Sequence, residues 1–199
     1  TSFVKGLSQV RDLPELYDSI FSEIKKFGDL STPYFLVFDS VSSGNLYYRQ
    51  GRSLRERRLE GLPAHFASLS VRTDHQLDKA WWQKETKLDC RNLLSISIRA
   101  RETQQRFPAA VLFLEHGFSG TFLTDFLERV TERIQPVSIV LDKILLRRQL
   151  QQAAQQWEAT FNGVENPIAV VEHRDLVVRS NKQFLSESCP LPEDGTAGE

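Results

Sequence analysis

Apolar positions along the first third of the chain keep one period and then change to another. Leu13, Leu16, Tyr17, Ile20, Ile24 and Phe27 recur every three or four residues, which predicts a helix with one buried face. Asp12-Leu13-Pro14-Glu15 supplies its start: an N-cap, an early-turn proline and a capping-box acid. Gly28 is the expected stop. "YFLVFD" (34–39) then reads as a buried strand, "SVSSGN" (40–45) as turn chemistry and "LYYRQG" (46–51) as a second strand. Two short apolar runs around such a turn predict a hairpin.

Periodicity is weaker from 52 to 90. The stretch opens basic and turns mixed, and "HQLDKAWWQKETKLDC" (75–90) holds a short helix with two adjacent tryptophans. Alternation returns in "RNLLSISIRA" (91–100), as in a half-buried strand. "RETQQRF" is a polar connection to a strongly apolar strand, "PAAVLFLEH" (108–116), so a second hairpin is expected.

A long helical stretch follows, from about 119 to 162. Leu123, Phe126, Leu127, Val130, Ile134, Val137, Leu141 and Ile144 keep three-to-four spacing, and Pro136 is expected to kink the helix. A second seam continues with Leu146, Leu150, Ala153, Trp157 and Phe161, flanked by five glutamines. A narrow apolar seam with polar flanks calls for a partner helix, so a homodimer is expected through it. The earlier positions, Leu123 to Ile144, serve either that seam or the domain's own core.

"NGVENP" ends the helix, and "IAVVE" (168–172) and "LVVRS" (176–180) read as two short strands. Between them stands His173-Arg174-Asp175, the opening of a protein-kinase catalytic loop. That pattern needs Asn five residues after the Asp, and Ser180 stands there, with Asn181 one place late. No G-x-G-x-x-G, V-A-I-K or D-F-G accompanies it. The three residues are read as a hairpin turn.

Charge and cysteine usage narrow the field. The 199 residues include 25 basic and 26 acidic ones, a balance with no nucleic-acid footprint. Cys90 and Cys189 are the only cysteines, which fits a reducing, cytoplasmic setting better than a secreted disulfide framework. No apolar run reaches the roughly 18 residues of a membrane span. Methionine is absent, so the chain is expected to be part of something longer.

Candidate chemistry is sparse. His65, His75, His116 and His173 share no metal-ligand spacing with one another or with a cysteine, so no metal site is assigned. "HGFSG" (116–120) misses the G-x-S-x-G nucleophile pattern by one residue and reads as a helix start. Trp81 and Trp82 either line a ligand cavity or serve the core. Cys90 is either a reactive thiol or a small buried hydrophobe. Arg49, Arg52, Arg55, Arg57 and Arg58, interleaved with Glu56 and Glu60, form an anion site or a solvated face. Phe66, His75, Trp81, Trp82 and Cys90 are the ligand-pocket candidates. No catalytic residue is assigned, and no cofactor can be named.

The order of elements (capped helix, hairpin, variable middle, hairpin, long exit helix) resembles a GAF domain over about residues 7 to 147. The likeness is best in "RNLLSISIRARETQQRFPAAVLFLEHGFSGTFLTDFLERVTERIQPVSIVLDKILL", with Phe118 and Phe122 near the place where that family introduces its last helix. Ala109 and Ala110 stand where many members have glycine. The tail "WEATFNGVENPIAVVEHRDLVVRSNKQF" resembles the beginning of a PAS domain, with Asn181 and Phe184 as its N-x-x-F. The cyclic-nucleotide reading of "NKQF" is set aside because it falls outside the GAF-like region.

The resemblance implies an α+β fold: a GAF-like antiparallel sheet with flanking helices and a long C-terminal exit helix. It divides the chain into a sensory domain (1–147), a coiled-coil-like connecting helix (148–162) and a truncated PAS-like start with a polar tail (163–199). GAF, helix and PAS in that order imply the input of a bacterial sensor histidine kinase, with an unidentified small-molecule ligand and chemistry carried elsewhere. The alternative is a ligand-free GAF-like dimerisation scaffold.

Overall fold

The computed structural model describes residues 2–27, 33–64, 66, 71–73, 76–86, 92–99, 108–116, 121–172 and 176–188. The chain forms two compact units, Thr1–Leu146 and Arg147–Glu199.

The first unit begins with helices α1 (Ser2–Leu7) and α2 (Leu13–Ile24), the latter followed by a 3-10 turn over Lys25–Phe27. The start of α2 follows its sequence. The Asp12 carboxylate accepts from the Glu15 N–H at 2.9 Å, and the Glu15 carboxylate accepts from the Arg11 N–H at 2.7 Å. Two otherwise orphaned donors are thereby satisfied, and Pro14 occupies the first turn, where no N–H is needed. Leu13, Leu16, Tyr17, Ile20 and Ile24 are all buried. The buried Tyr17 hydroxyl donates to the Pro33 carbonyl at 2.8 Å. Burial holds that phenol well above its ordinary range.

Strands β1 (Tyr34–Ser40), β2 (Ser43–Gln50), β3 (Ser53–Glu60), β4 (Val71–Thr73), β5 (Leu93–Ile98) and β6 (Ala110–Glu115) form one sheet in the order β3-β2-β1-β6-β5-β4. Every pairing is antiparallel. Both expected hairpins form, and β1 joins them by pairing with β6, Tyr34 opposite Phe113 and Leu36 opposite Val111.

Two strand features differ from the sequence reading. The turn after β1 is shorter than "SVSSGN", because Ser43 to Asn45 already pair within β2. Gly44 permits this: an added Cβ would fall on the Val37 carbonyl oxygen across the β1–β2 ladder. The second difference is β3 itself, in a stretch read as irregular. It is an edge strand, so its solvent face carries arginine and not an apolar alternation, and only Leu59 is fully buried. Gly51 makes the β2–β3 turn at φ +63°, a conformation few other residues adopt.

Helix α3 (Gln76–Thr86) precedes β5, and α4 (Thr121–Ile134) follows β6. The expected single kinked helix is two helices. α4 ends at Ile134, and α5 (Val137–Gly163) starts after a Gln135–Pro136 break. Pro136 has no N–H to continue the ladder. The Gln135 carbonyl instead accepts from the Ser138 hydroxyl at 2.8 Å. Phe126, Val130, Ile134, Val137, Leu141 and Ile144 are buried in the unit's own core with α2 and the sheet.

The second unit contains the later part of α5, an antiparallel pair β7 (Ala169–Glu172) and β8 (Leu176–Ser180), and helix α6 (Lys182–Ser188). Asn181 is fully buried and holds this unit together. Its Oδ1 accepts from the Ile168 and Phe184 N–H groups at 2.9 and 3.0 Å. Its Nδ2 donates to the Asn166 and Val164 carbonyls at 2.8 and 3.3 Å. All four bonds go to backbone, so Asn181 organises a turn. The His173-Arg174-Asp175 loop lies outside the described residues.

Candidate functional site

Strand alternation sends Phe35 and Val37 to one face of the sheet and Leu36 and Phe38 to the other. The second face carries the described pocket candidates. Trp82 is 1 % exposed and sets its ring edge-on to Tyr34 at 4.6 Å, with Phe113 5.1 Å away. Phe66 is fully buried, 5.0 Å from Trp81 and 5.5 Å from Phe113. The structure thus brings Phe66, Trp81 and Trp82 together, and they pack ring against ring over β1 and β6. Of the adjacent pair, Trp82 is core and Trp81 is half-buried beside it. His75 and Cys90 lie outside the described residues.

The basic run is largely engaged with its neighbours. Arg49 donates to Asp18 at 2.6 Å and lies over the Phe21 ring, tying β2 to α2. Arg57 donates to the Glu85 carbonyl at 2.5 Å. Arg58 bonds Asp39, and Glu60 at 2.9 Å. Arg52 and Arg55 are exposed. The described part of this run is a solvated, mostly paired face. His116 is buried, and its backbone exchanges bonds of 3.1 Å with Asn92, one from the His116 N–H and one from the Asn92 amide. No cluster able to hold a metal ion occurs among the described residues.

The exit helix divides into two parts. Val137, Leu141 and Ile144 are buried. Beyond them Leu146 is 43 % exposed, Leu150 64 % and Trp157 45 %. Ala153 is also exposed and Phe161 is half-buried. The end of the seam has contacts within its own unit, since Trp157 stacks on Phe161 at 4.8 Å and Arg179 lies over the Trp157 ring at 4.9 Å. The sequence reading missed one member of the exposed stripe. Ile139, exposed, stands one heptad before Leu146. The seven-residue interval was the available signal, but Ile139 lies among core positions of the same helix.

No family model matches the chain, and no curated protein matches it. Among solved structures, one similar to this chain is the GAF domain of A. aeolicus nlh2 in an inactive state. Identity is 11 % and the TM-score 0.45, with 74 % of this chain and 93 % of that chain covered. The chain itself is an α+β protein with an antiparallel sheet and flanking helices. No described helix is long and apolar enough to cross a membrane.

Proposed function

We propose that this chain is a sensory or regulatory input domain of a signal-transduction protein, relaying a change in its sheet-and-helix unit through α5. The observation that carries the reading is the division of α5. The helix belongs to the core through Ile144 and then continues to Gly163 with Leu146 and Leu150 in solvent. Exposed leucines at heptad spacing favour a second helix, and a second copy of the chain supplies an identical seam. Packed helical interfaces have discrete arrangements, so a shift at the core end becomes a change in pairing.

The finer reading rests on the sequence resemblance: a GAF-like domain, connecting helix and PAS-like start, as in the input of a bacterial sensor histidine kinase. Catalysis then belongs to another part of the parent protein. Sedimentation velocity tests the pairing. The chain is expected to dimerise at tens of micromolar, and Leu146→Glu with Leu150→Glu to leave it monomeric with unchanged helicity. A monomeric parent chain, or a double variant as dimeric as the parent, refutes the relay.

A second reading, a ligand-free dimerisation scaffold, is favoured by the aromatic packing of Phe66, Trp81, Trp82 and Phe113. It predicts a chain that binds no small molecule anywhere.

A further inference from the structure

On the helix side of the sheet, a cleft of about 730 Å³ lies between β5 and α4, within the size range of small-molecule sites. We propose that this cleft, where Glu128 and Glu132 stand over an aliphatic floor of Ile96, Ile98, Leu127 and Ile134, binds a small aliphatic cation.

Strand alternation makes the floor. Ile96 and Ile98, with Leu94, are the β5 positions that face the helices, and Ile134 closes the end of α4. The floor contains no aromatic ring, so it matches a hydrocarbon body better than a stacked planar base. The wall sets the charge. Glu128 and Glu132 are one helical turn apart on α4, where like charges repel. Among the described residues neither carboxylate has an ion-pair or hydrogen-bond partner. Their neighbour Arg133 is directed elsewhere, 3.6 Å from Glu23. Arg99 is the single cation among the described lining residues, so the two carboxylates leave the described lining net negative. A ligand ammonium relieves the repulsion while its chain covers the floor. This site is on the opposite face from the aromatic cluster and uses none of its residues.

The cleft ends against Gln135 and Ser138, at the junction from which α5 departs. An occupant therefore braces the start of the exit helix. That last step rests on the relay reading; the binding does not.

The test is isothermal titration of the 199-residue chain with n-octylammonium and n-octanoate, both below their micellar concentrations. Octylammonium is expected to bind saturably at one site, at least tenfold more tightly than octanoate. Glu128→Gln with Glu132→Gln should weaken it by about tenfold. Thr131→Trp, at an exposed position lining the cleft, should abolish binding. All three substitutions sit on solvent-facing positions, and circular dichroism with Tm confirms that each variant is folded. Absence of saturable binding, equal affinity for octanoate, or unchanged affinity in either variant overturns the proposal. So does tighter binding of a Leu/Lys amphipathic helix, which would assign the cleft to a protein partner. Sedimentation with saturating octylammonium separates the two readings: an unchanged dimer constant removes the relay step and leaves the site standing.

Discussion

The two faces of the six-stranded sheet are closed by different means. The helix side is mostly aliphatic, with α2, α4 and the start of α5 supplying leucine, isoleucine and valine at regular spacing. The opposite side is closed by rings: Phe66, Trp81, Trp82 and Phe113, with Tyr34 and Tyr48 beside them. Long helices bury area through many similar contacts, so a gap between a helix and the sheet leaves a cleft. Among the described residues few elements cover the second face, and large side chains compensate by each burying more area and meeting edge-to-face.

Substitutions can break or sharpen that contrast. The largest effect is expected for Trp82→Ala, which removes the ring that joins Tyr34 to Phe113. A loss of about 4 kcal/mol in urea unfolding is expected; a loss below 1 kcal/mol would mean that the aromatic face is not a closed core. On the helix side, Leu141→Ala removes one of many aliphatic contacts, and chemical denaturation should register about 3 kcal/mol. Equal losses at the two sites would mean that the two faces are packed alike.

Gly44→Ala probes the ladder between the faces. Its new methyl meets the Val37 carbonyl, and Tm should fall in line with about 2 kcal/mol of overpacking. An unaltered Tm would show that β1 and β2 can separate slightly at no cost. Asp12→Ala deletes one bond at the start of α2, so a loss of about 1 kcal/mol is expected, with Asp12→Asn retaining most of the stability. Leu150→Ala should change unfolding stability at dilute protein by less than about 0.5 kcal/mol, yet weaken dimerisation. A large loss in the monomer would place Leu150 inside a core and not on a seam.

The same contrast explains what the sequence disclosed. Where burial is one-sided and the start is capped, as in α2, periodicity and cap were enough. The strands β1 and β6 were legible because both of their faces are covered and their apolar residues run nearly unbroken, and β5 because its apolar residues alternate with serine. β3 was missed because an edge strand is written in charges. The break at Pro136 was expected as a kink, and the Ser138 hydroxyl and N–H on the Gln135 carbonyl mark a fresh start. Phe66 and Trp82 were legible as candidates, but single aromatic residues carry no period, so their mutual packing could not be read. The cleft was invisible for a different reason. It is an interval between β5 and α4, and no residue pattern encodes an interval.

The pairing of β1 with β6 has a consequence for how the protein is made. Tyr34 and Phe113 stand side by side in the sheet yet about 80 residues apart in the chain, and such distant pairings slow folding. During synthesis the β1–β2 hairpin can form early, but Phe35, Leu36 and Val37 keep one open, apolar edge until the ribosome has released residue 115. An unpaired edge of that kind is where nascent chains associate with one another. The centre of this sheet is therefore its last part to close, and the interval before closure is when the chain most needs a chaperone.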